Sequence, residues 1–223
     1  MSMRPLSLLE ARVLGVLIEK SLTVPDSYPL SLNALTLGCN QKTARDPVLA
    51  ASDAEVQGAV DALKALSLAF ESSGSRVSRY EHNLGRVLGL PSQSVALLAV
   101  LLLRGPQTSA ELRANAERLH RFADVSSVDA FLIELAERAD EKGGPLVAKL
   151  PRAAGAREQR WAHLLCGAVD AALLAMAADA PEFVAASELA AIKAQQSALQ
   201  SEVAQLRALV DRLYAELGVT RSS

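Results

Sequence analysis

The stretch LGCNQKTARDPV, residues 37–48, brings together more chemistry-bearing side chains than its neighbours do. Cys39 could act as a thiolate or a metal ligand. Lys42 is the nearby cation that could lower its pKa, and Gln41, Lys42 and Arg45 could touch a partner or a phosphate. A metal needs several ligands, and Cys39 has none beside it. A nucleophile needs a base and an orienting group, and nothing close in the chain completes that set. The expectation is therefore a structural loop. Cys39 ends a helix inside the core, unmetallated, and Asn40, Gln41 and Asp46 tie the loop down through side-chain hydrogen bonds. Gln41, Lys42 and Arg45 are left as an edge able to contact a partner.

The other titratable residues form no catalytic set. His82, His120 and His163 are scattered, and His82 and His163 read as half-buried structural histidines on strands. Asp140 and Glu141 stand together at a helix end before two glycines, where acids usually form a solvated cap. No phosphate-binding glycine loop, dinucleotide fingerprint or paired-histidine zinc motif is present in the sequence. The sequence thus nominates no catalytic residue, no cofactor site and no metal site, and the chain is expected not to be an enzyme.

Composition narrows the class further. The chain has 223 residues, 50% hydrophobic and 22% charged, so it can bury a real core. Aromatic residues make up only 4%, which favours helices with small core side chains over a β-sandwich. Net charge is −2, excluding a strongly basic nucleic-acid binder as a whole-chain description while leaving room for a local patch. Cys39 and Cys166 are the two cysteines and cannot build a disulfide framework. The start carries charges within its apolar run and makes a poor signal peptide. The longest uncharged apolar run, at 94–103, is too short for a bilayer. A soluble cytoplasmic protein without a membrane partner is expected.

The elements that must position these side chains follow from periodicity. Leu9, Val13, Leu14, Leu17 and Ile18 predict a helix over 7–21, with Glu10, Arg12, Glu19 and Lys20 off the apolar stripe. Ser31 caps a second, short helix. Ser52 and Glu55 form a capping box for a third over 53–66, whose inward face is Val56, Ala59, Val60 and Leu63. A hairpin follows, with a second strand alternating through Val77, Arg79 and Glu81. The same order then recurs: SVALLAVLLLRG, TSAELRANAERLH and SSVDAFLIELAERA as helices, the last with capping-box spacing at Ser126 and Asp129, and a longer hairpin ending in RWAHLL. Val56 and Leu63 match Val128 and Leu135, and Tyr80, His82 and Leu84 match Trp161, His163 and Leu165. Three helices and a hairpin, twice, is the order of two tandem winged-helix domains, 1–84 and 85–165. The fold class is mainly α with small β-hairpins.

Residues 166–223 form a helical C-terminal region. Within it, 189–217 carries a heptad: Leu189, Val203, Val210 and Leu217 with Gln196 at one seam position, and Ile192, Leu199, Leu206 and Leu213 at the other. This predicts a homodimer through that helix, in parallel.

The string SYPLSLNALTLGCNQKTARDPV, preceded by LEARVLGVLIEKSLTVPD and followed by EVQGAVDALKAL, resembles the YceH-like family of uncharacterised bacterial proteins over nearly the whole chain. Members often carry a further Asn inside the string, where this chain has Thr43 and Ala44. The resemblance implies tandem winged helices and no established activity, cofactor or catalytic residue.

Fold analogy then points to double-stranded DNA. The third helices carry Asp53, Glu55 and Asp61 against Lys64, and Asp129, Glu134 and Glu137 against Arg138, which disfavours phosphate there. The hairpins have the opposite sign, with Arg76 and Arg79 on the first and Lys149, Arg152, Arg157 and Arg160 on the second. The expected function is a non-enzymatic, DNA-associated regulatory protein using its basic wings. The alternative is an adaptor for a protein partner, as in chromosome-organising accessory subunits.

Overall fold

The computed structural model describes residues 3–72, 77–152 and 157–168, together with Val203. Arg76 and, Val203 apart, the heptad segment 189–217 lie outside the described residues. The chain divides into two compact units, Met1–Leu174 and Ala175–Ser223. The first is mainly helical with small antiparallel strand sets, as the sequence predicts.

Helix α1, Leu8–Thr23, begins at a capping box: the Ser7 hydroxyl accepts the Glu10 N–H, and the Glu10 carboxylate accepts the Ser7 N–H at 2.8 Å. A 3-10 turn, Pro25–Ser27, leads to the two-residue strand β1, Leu30–Ser31. Ser31 caps α2, Leu32–Cys39, and Ser52 with Glu55 boxes α3, Asp53–Ala65. The inward face of α3 is the expected one, Val56, Ala59, Val60 and Leu63. Strands β2, Ala69–Ser72, and β3, Arg79–His82, then form the hairpin, and β1 adds to it in the order β1–β3–β2. Helix α4, Leu84–Leu88, links the halves and stops at Gly89, whose φ of 62° suits a residue without Cβ.

The second half repeats the order with α5, Ser92–Arg104, α6, Ser109–Ala116, α7, Val125–Ala136, and strands β4, Val147–Lys149, and β5, Trp161–His163. The repeat extends beyond element order. Leu30 of β1 pairs with Tyr80, and Gln107, just before α6, bridges Trp161. Arg79 donates to the Pro29 carbonyl at 2.8 Å, and Arg160 donates to the Pro106 carbonyl at 2.9 Å. The buried aromatic of each last strand reaches its third helix through polar atoms. The Tyr80 hydroxyl donates to Gln57 at 2.8 Å, while the Trp161 indole N–H donates to the Ser109 hydroxyl at 3.1 Å, which in turn donates to Asp129.

Two local expectations change. Helix α7 is boxed by Asp124 and Ser127, not by Ser126 and Asp129: the Asp124 carboxylate accepts the Ser127 N–H at 2.7 Å. Asp129 instead faces α6, where it is occupied by Ser109. Helix α6 ends at Ala116, short of His120, and the Leu119 and His120 N–H groups fold back onto its carbonyl.

The larger correction concerns α1. Glu10 and Arg12, expected off the buried face, are both buried. The reason is that α1 packs on α2, α3 and β3 and also on α5, so that residues 10–18 are all buried. A helix segment covered all round has no solvent face for a charge. The halves are also stitched by backbone bonds, Leu6 N–H to the Leu165 carbonyl and Asp46 N–H to the Leu103 carbonyl, each 2.8 Å.

Two glycines set the spacing of this layer. A Cβ on Gly15 would lie 3.0 Å from Leu103 and 3.2 Å from the Leu102 Cβ, and one on Gly38 would lie 2.6 Å from Val16 Cγ1. Gly38→Ala is therefore expected to lower unfolding free energy by about 1–3 kcal/mol through overpacking, despite alanine's better helix propensity. Gly58, on the exposed face of α3, has open space around its missing Cβ. Gly58→Ala should raise stability by up to ~1 kcal/mol. Urea unfolding of both variants, read by far-UV circular dichroism, checks the pair of opposite signs.

Candidate functional site: the strap and the second hairpin

The strap between α2 and α3 holds most of the residues nominated from the sequence. Cys39 is fully buried, and burial pushes its thiol pKa up to about 12, against the opposing charges of Arg12 and Arg45. It is thus a poor nucleophile at neutral pH. Asn40 closes the neck of the strap: its side chain donates to the Ala51 carbonyl at 2.7 Å and accepts the Ala51 N–H at 2.8 Å.

Arg45, expected at a contact edge, is inside. Its guanidinium donates to both Glu19 carboxylate oxygens at 3.1 and 2.6 Å, to the Gly38 carbonyl at 3.1 Å and to the Gln41 side chain at 2.6 Å. Arg12 crosses beneath, donating to the carbonyls of Cys39 at 3.1 Å and Pro47 at 2.6 Å. Desolvation, with Arg45 adding, holds the Arg12 guanidinium pKa below its ordinary value. Ala44 adopts φ 58°, a left-handed conformation that disfavours residues with a Cβ. Asp46 is fixed through its backbone N–H, not through the side-chain bond expected of it. What remains exposed on the strap is Gln41, with its carbonyl engaged by Arg45, together with Lys42, Thr43, Asp46, Pro47, Val48 and Ala50.

Glu19 and Arg12 were missed as members of this network, although α1 contains a signal. The uninterrupted run Val13–Ile18 leaves no polar face, so a charge beside it must find partners inside the fold.

The hairpin residues separate into two groups. Arg79 and Arg160 lie at the surface but are tied down, each to a proline carbonyl, and Arg160 also forks onto Glu111 at 2.8 and 3.0 Å. Lys149 places its ammonium 5.2 Å from the centroid of the Trp161 ring. Arg152 and Arg157 are exposed. Lys149, Arg152 and Arg157 therefore form the basic surface of the second hairpin.

The outer faces of the third helices offer little to a base edge. On α3 the exposed positions include Asp53, Ala54, Gly58 and Asp61, and the Gln57 amide is held between Tyr80 and Asp61. Lys64 pairs with Glu71 and Asp61. On α7 the exposed positions include Val125, Ala130, Ile133, Glu134 and Glu137, with Ile133 at 45% exposure. Among the described residues there is no cluster of three or more histidines, cysteines and acids able to hold a metal. None of the described helices is long and apolar enough to cross a membrane.

The histidines of the repeated strands are buried enough that desolvation lowers both pKa values, that of His163 to about 4. The Nδ1 atoms of both have no hydrogen-bond partner among the described residues.

Residues 6–156 match the family model described as "Protein of unknown function, DUF480". The chain is 63% identical over 219 residues to a UPF0502 protein of Burkholderia multivorans, covering 98% of this chain and 92% of that one. It is similarly related to UPF0502 proteins of Burkholderia vietnamiensis, at 61% over 220 residues, and Burkholderia pseudomallei, at 62% over 218 residues, with the same coverage of both chains.

Arg45→Ala is expected to cost about 3–5 kcal/mol, because it strands a half-buried Glu19. Arg45→Lys should recover only part of this, since an ammonium cannot fork onto both oxygens. Burial alone would raise the Glu19 carboxyl, but the hydrogen bonds and charge of Arg45, with Lys20 adding, hold its pKa below the ordinary 4.5. Stability from a depressed carboxyl is complete above its unfolded pKa and disappears as pH falls through the folded one. The gap between wild type and Arg45→Ala in urea titrations should therefore be largest near pH 7 and shrink below pH 4.5.

Proposed function

We propose, from the premise that the chain belongs to the DUF480 family, that it is a non-enzymatic cytoplasmic binding protein of two tandem winged-helix units that associates with double-stranded DNA through phosphates. The observation carrying this reading is the exposed basic surface of the second hairpin, Lys149, Arg152 and Arg157, set against third helices with acidic and small outer faces. Base edges are read mainly by arginine, lysine, asparagine and glutamine. On α3, Gln57 and Lys64 are engaged with neighbours. Phosphate contact from a hairpin carries little sequence information, so the association is weakly selective and salt-sensitive. Two free cysteines suit a reducing compartment. The heptad over 189–217 supports a homodimer, which would double the basic edges.

A second reading, an adaptor for a protein partner, is favoured by the outer face of α7. Exposed Val125, Ala130 and Ile133 resemble a protein contact more than a groove reader.

The test is a salt titration of wild type and an Arg152→Ala, Arg157→Ala double variant on two unrelated duplexes. Arg160 is left in place because it braces the hairpin. Wild type should bind both duplexes similarly. The variant should bind both more weakly, with a log–log salt slope smaller by roughly 1.8 for two lost phosphate contacts. An absence of wild-type binding at low salt would remove the DNA reading and leave the adaptor. Sedimentation at tens of micromolar should give a dimer.

A further inference from the structure

The second hairpin has a weak point at its base. Strands β4 and β5 pair over three residues each, with Val147 opposite His163, Ala148 opposite Ala162 and Lys149 opposite Trp161. An isolated two-stranded ribbon of this size has little stability of its own. It is held down by burial of Val147, Leu150, Trp161 and Ala162, by the Gln107 bridge, by the Trp161 indole on Ser109, by Arg160 on Glu111, and at its flanks by the Leu146 N–H on the Leu135 carbonyl and the Leu6 N–H on the Leu165 carbonyl. His163 sits at the inner end of this ribbon with a buried Nδ1 that has no hydrogen-bond partner among the described residues.

We propose that the β4–β5 hairpin is a proton-operated latch, in which protonation of His163 is favoured when the hairpin lifts from α5, α6 and α7, so that acid opens it while the helical body stays folded. Among the described residues nothing accepts from the His163 Nδ1 position, and burying a charged donor without an acceptor is costly. β5 packs on β4 and α5 and is tied to α6 through Trp161 on Ser109 and Arg160 on Glu111, while β4 packs on α7. The charged groups on these elements are Lys149, which lies over Trp161, Arg104 in the last turn of α5, Glu111 and Arg113 of α6, and Asp129 and Glu134 of α7. Glu111 is taken by Arg160 and Asp129 by Ser109, Glu134 is exposed, and none of these groups bonds the His163 Nδ1. On the hairpin itself, Arg157 and Glu158 are exposed and Arg160 is paired with Glu111.

The first hairpin carries the equivalent His82 but is anchored differently. Its β3 is the central strand of three, and the His82 N–H donates to the Tyr28 hydroxyl at 2.7 Å. The Ser21 hydroxyl already donates to the Ile18 carbonyl at 2.8 Å, so its 3.2 Å contact with His82 Nε2 has the imidazole as donor. The titratable groups on the elements around His82 are Tyr28, Glu71 of β2, and Glu10, Arg12, Glu19 and Lys20 of α1. Glu19 and Glu71 are paired with Arg45 and Lys64, and Glu10 with Arg4. The three-stranded sheet should stay closed under conditions that open the second ribbon.

The sign and size follow from linkage. His163 is held near pKa 4 in the closed form against an ordinary 6.5, so closure is fully favoured above 6.5 and weakens as pH falls towards 4. Between pH 7 and 4.5 the opening equilibrium should rise roughly 50-fold.

Amide hydrogen exchange on the full chain, corrected for intrinsic rates, reads this directly. The probes are the Leu150 and Leu164 N–H, which donate to Arg160 and Leu146 across the ribbon, and the Trp161 N–H, which donates to Gln107 ahead of α6, with α5 amides as the reference. In wild type the three ribbon protection factors should fall roughly 50-fold from pH 7 to 4.5 while α5 changes little. In His163→Gln the ribbon protection should be nearly pH-independent. Ribbon protection that stays level in wild type, or that falls in step with α5, overturns the latch. So does a folded His163→Gln protein with the wild-type pH dependence. If His163→Gln does not fold, the comparison of ribbon with α5 in wild type decides alone. The outcome does not depend on whether the hairpin meets DNA.

Discussion

Gly15 lets α1 lie against Leu102 and Leu103 of α5 at a separation that a side chain would disturb. That contact joins the first helix of one repeat to the first helix of the next, and much else follows from it. With α5 as well as α2, α3 and β3 packed on it, α1 loses its solvent face over residues 10–18. Arg12 is then enclosed, and the strap carbonyls of Cys39 and Pro47 are what receive its guanidinium. Arg45 comes in beside it and requires Glu19. The polar network under the strap is thus a consequence of packing two halves through their central helices, with each buried charge supplied with partners.

The repeats preserve function-like residues for architectural reasons. Arg79 and Arg160 occupy one position, each on the carbonyl of the proline ahead of the second helix. Tyr80 and Trp161 occupy another, each bonded to polar groups that lead to the third helix. These residues fix the angle of the hairpin against the helices. The side chains most suggestive of nucleic-acid contact in the linear sequence are therefore of two kinds, braces and open surface, and geometry separates Arg160 from Arg152 and Arg157.

How much was legible in the sequence depended on the range of the interaction. The boxes at Ser52–Glu55 and the inward face of α3 are local patterns, and they read correctly because capping and helical period act within one element. The internal repeat was visible because Tyr80 and Trp161 keep their chemistry. The cap of α7 was misplaced because Ser126–Asp129 and Asp124–Ser127 offer the same spacing, and only contact with Ser109 decides which acid is free to cap. Helix α4 and β1 were too short to carry a period. The burial of Arg45 was illegible because a charge in a polar stretch reads as surface until a partner 26 residues away is brought beside it.

The paired hydrogen bonds between Asn40 and Ala51 have a consequence for how such a chain can vary. Its two hydrogen bonds imitate a pair of facing backbone residues and join positions 11 apart. The step from the second helix to the third is thereby measured across one amide side chain, whatever length of chain is looped out beyond it. Around the exposed tip at Lys42 and Thr43 the chain can be lengthened or exchanged without re-aiming α3. The tip of the strap at Lys42 and Thr43, unlike the anchored Arg45, Asp46 and Pro47, is a place where sequence drift, or an inserted tag, is mechanically insulated from the helices on either side.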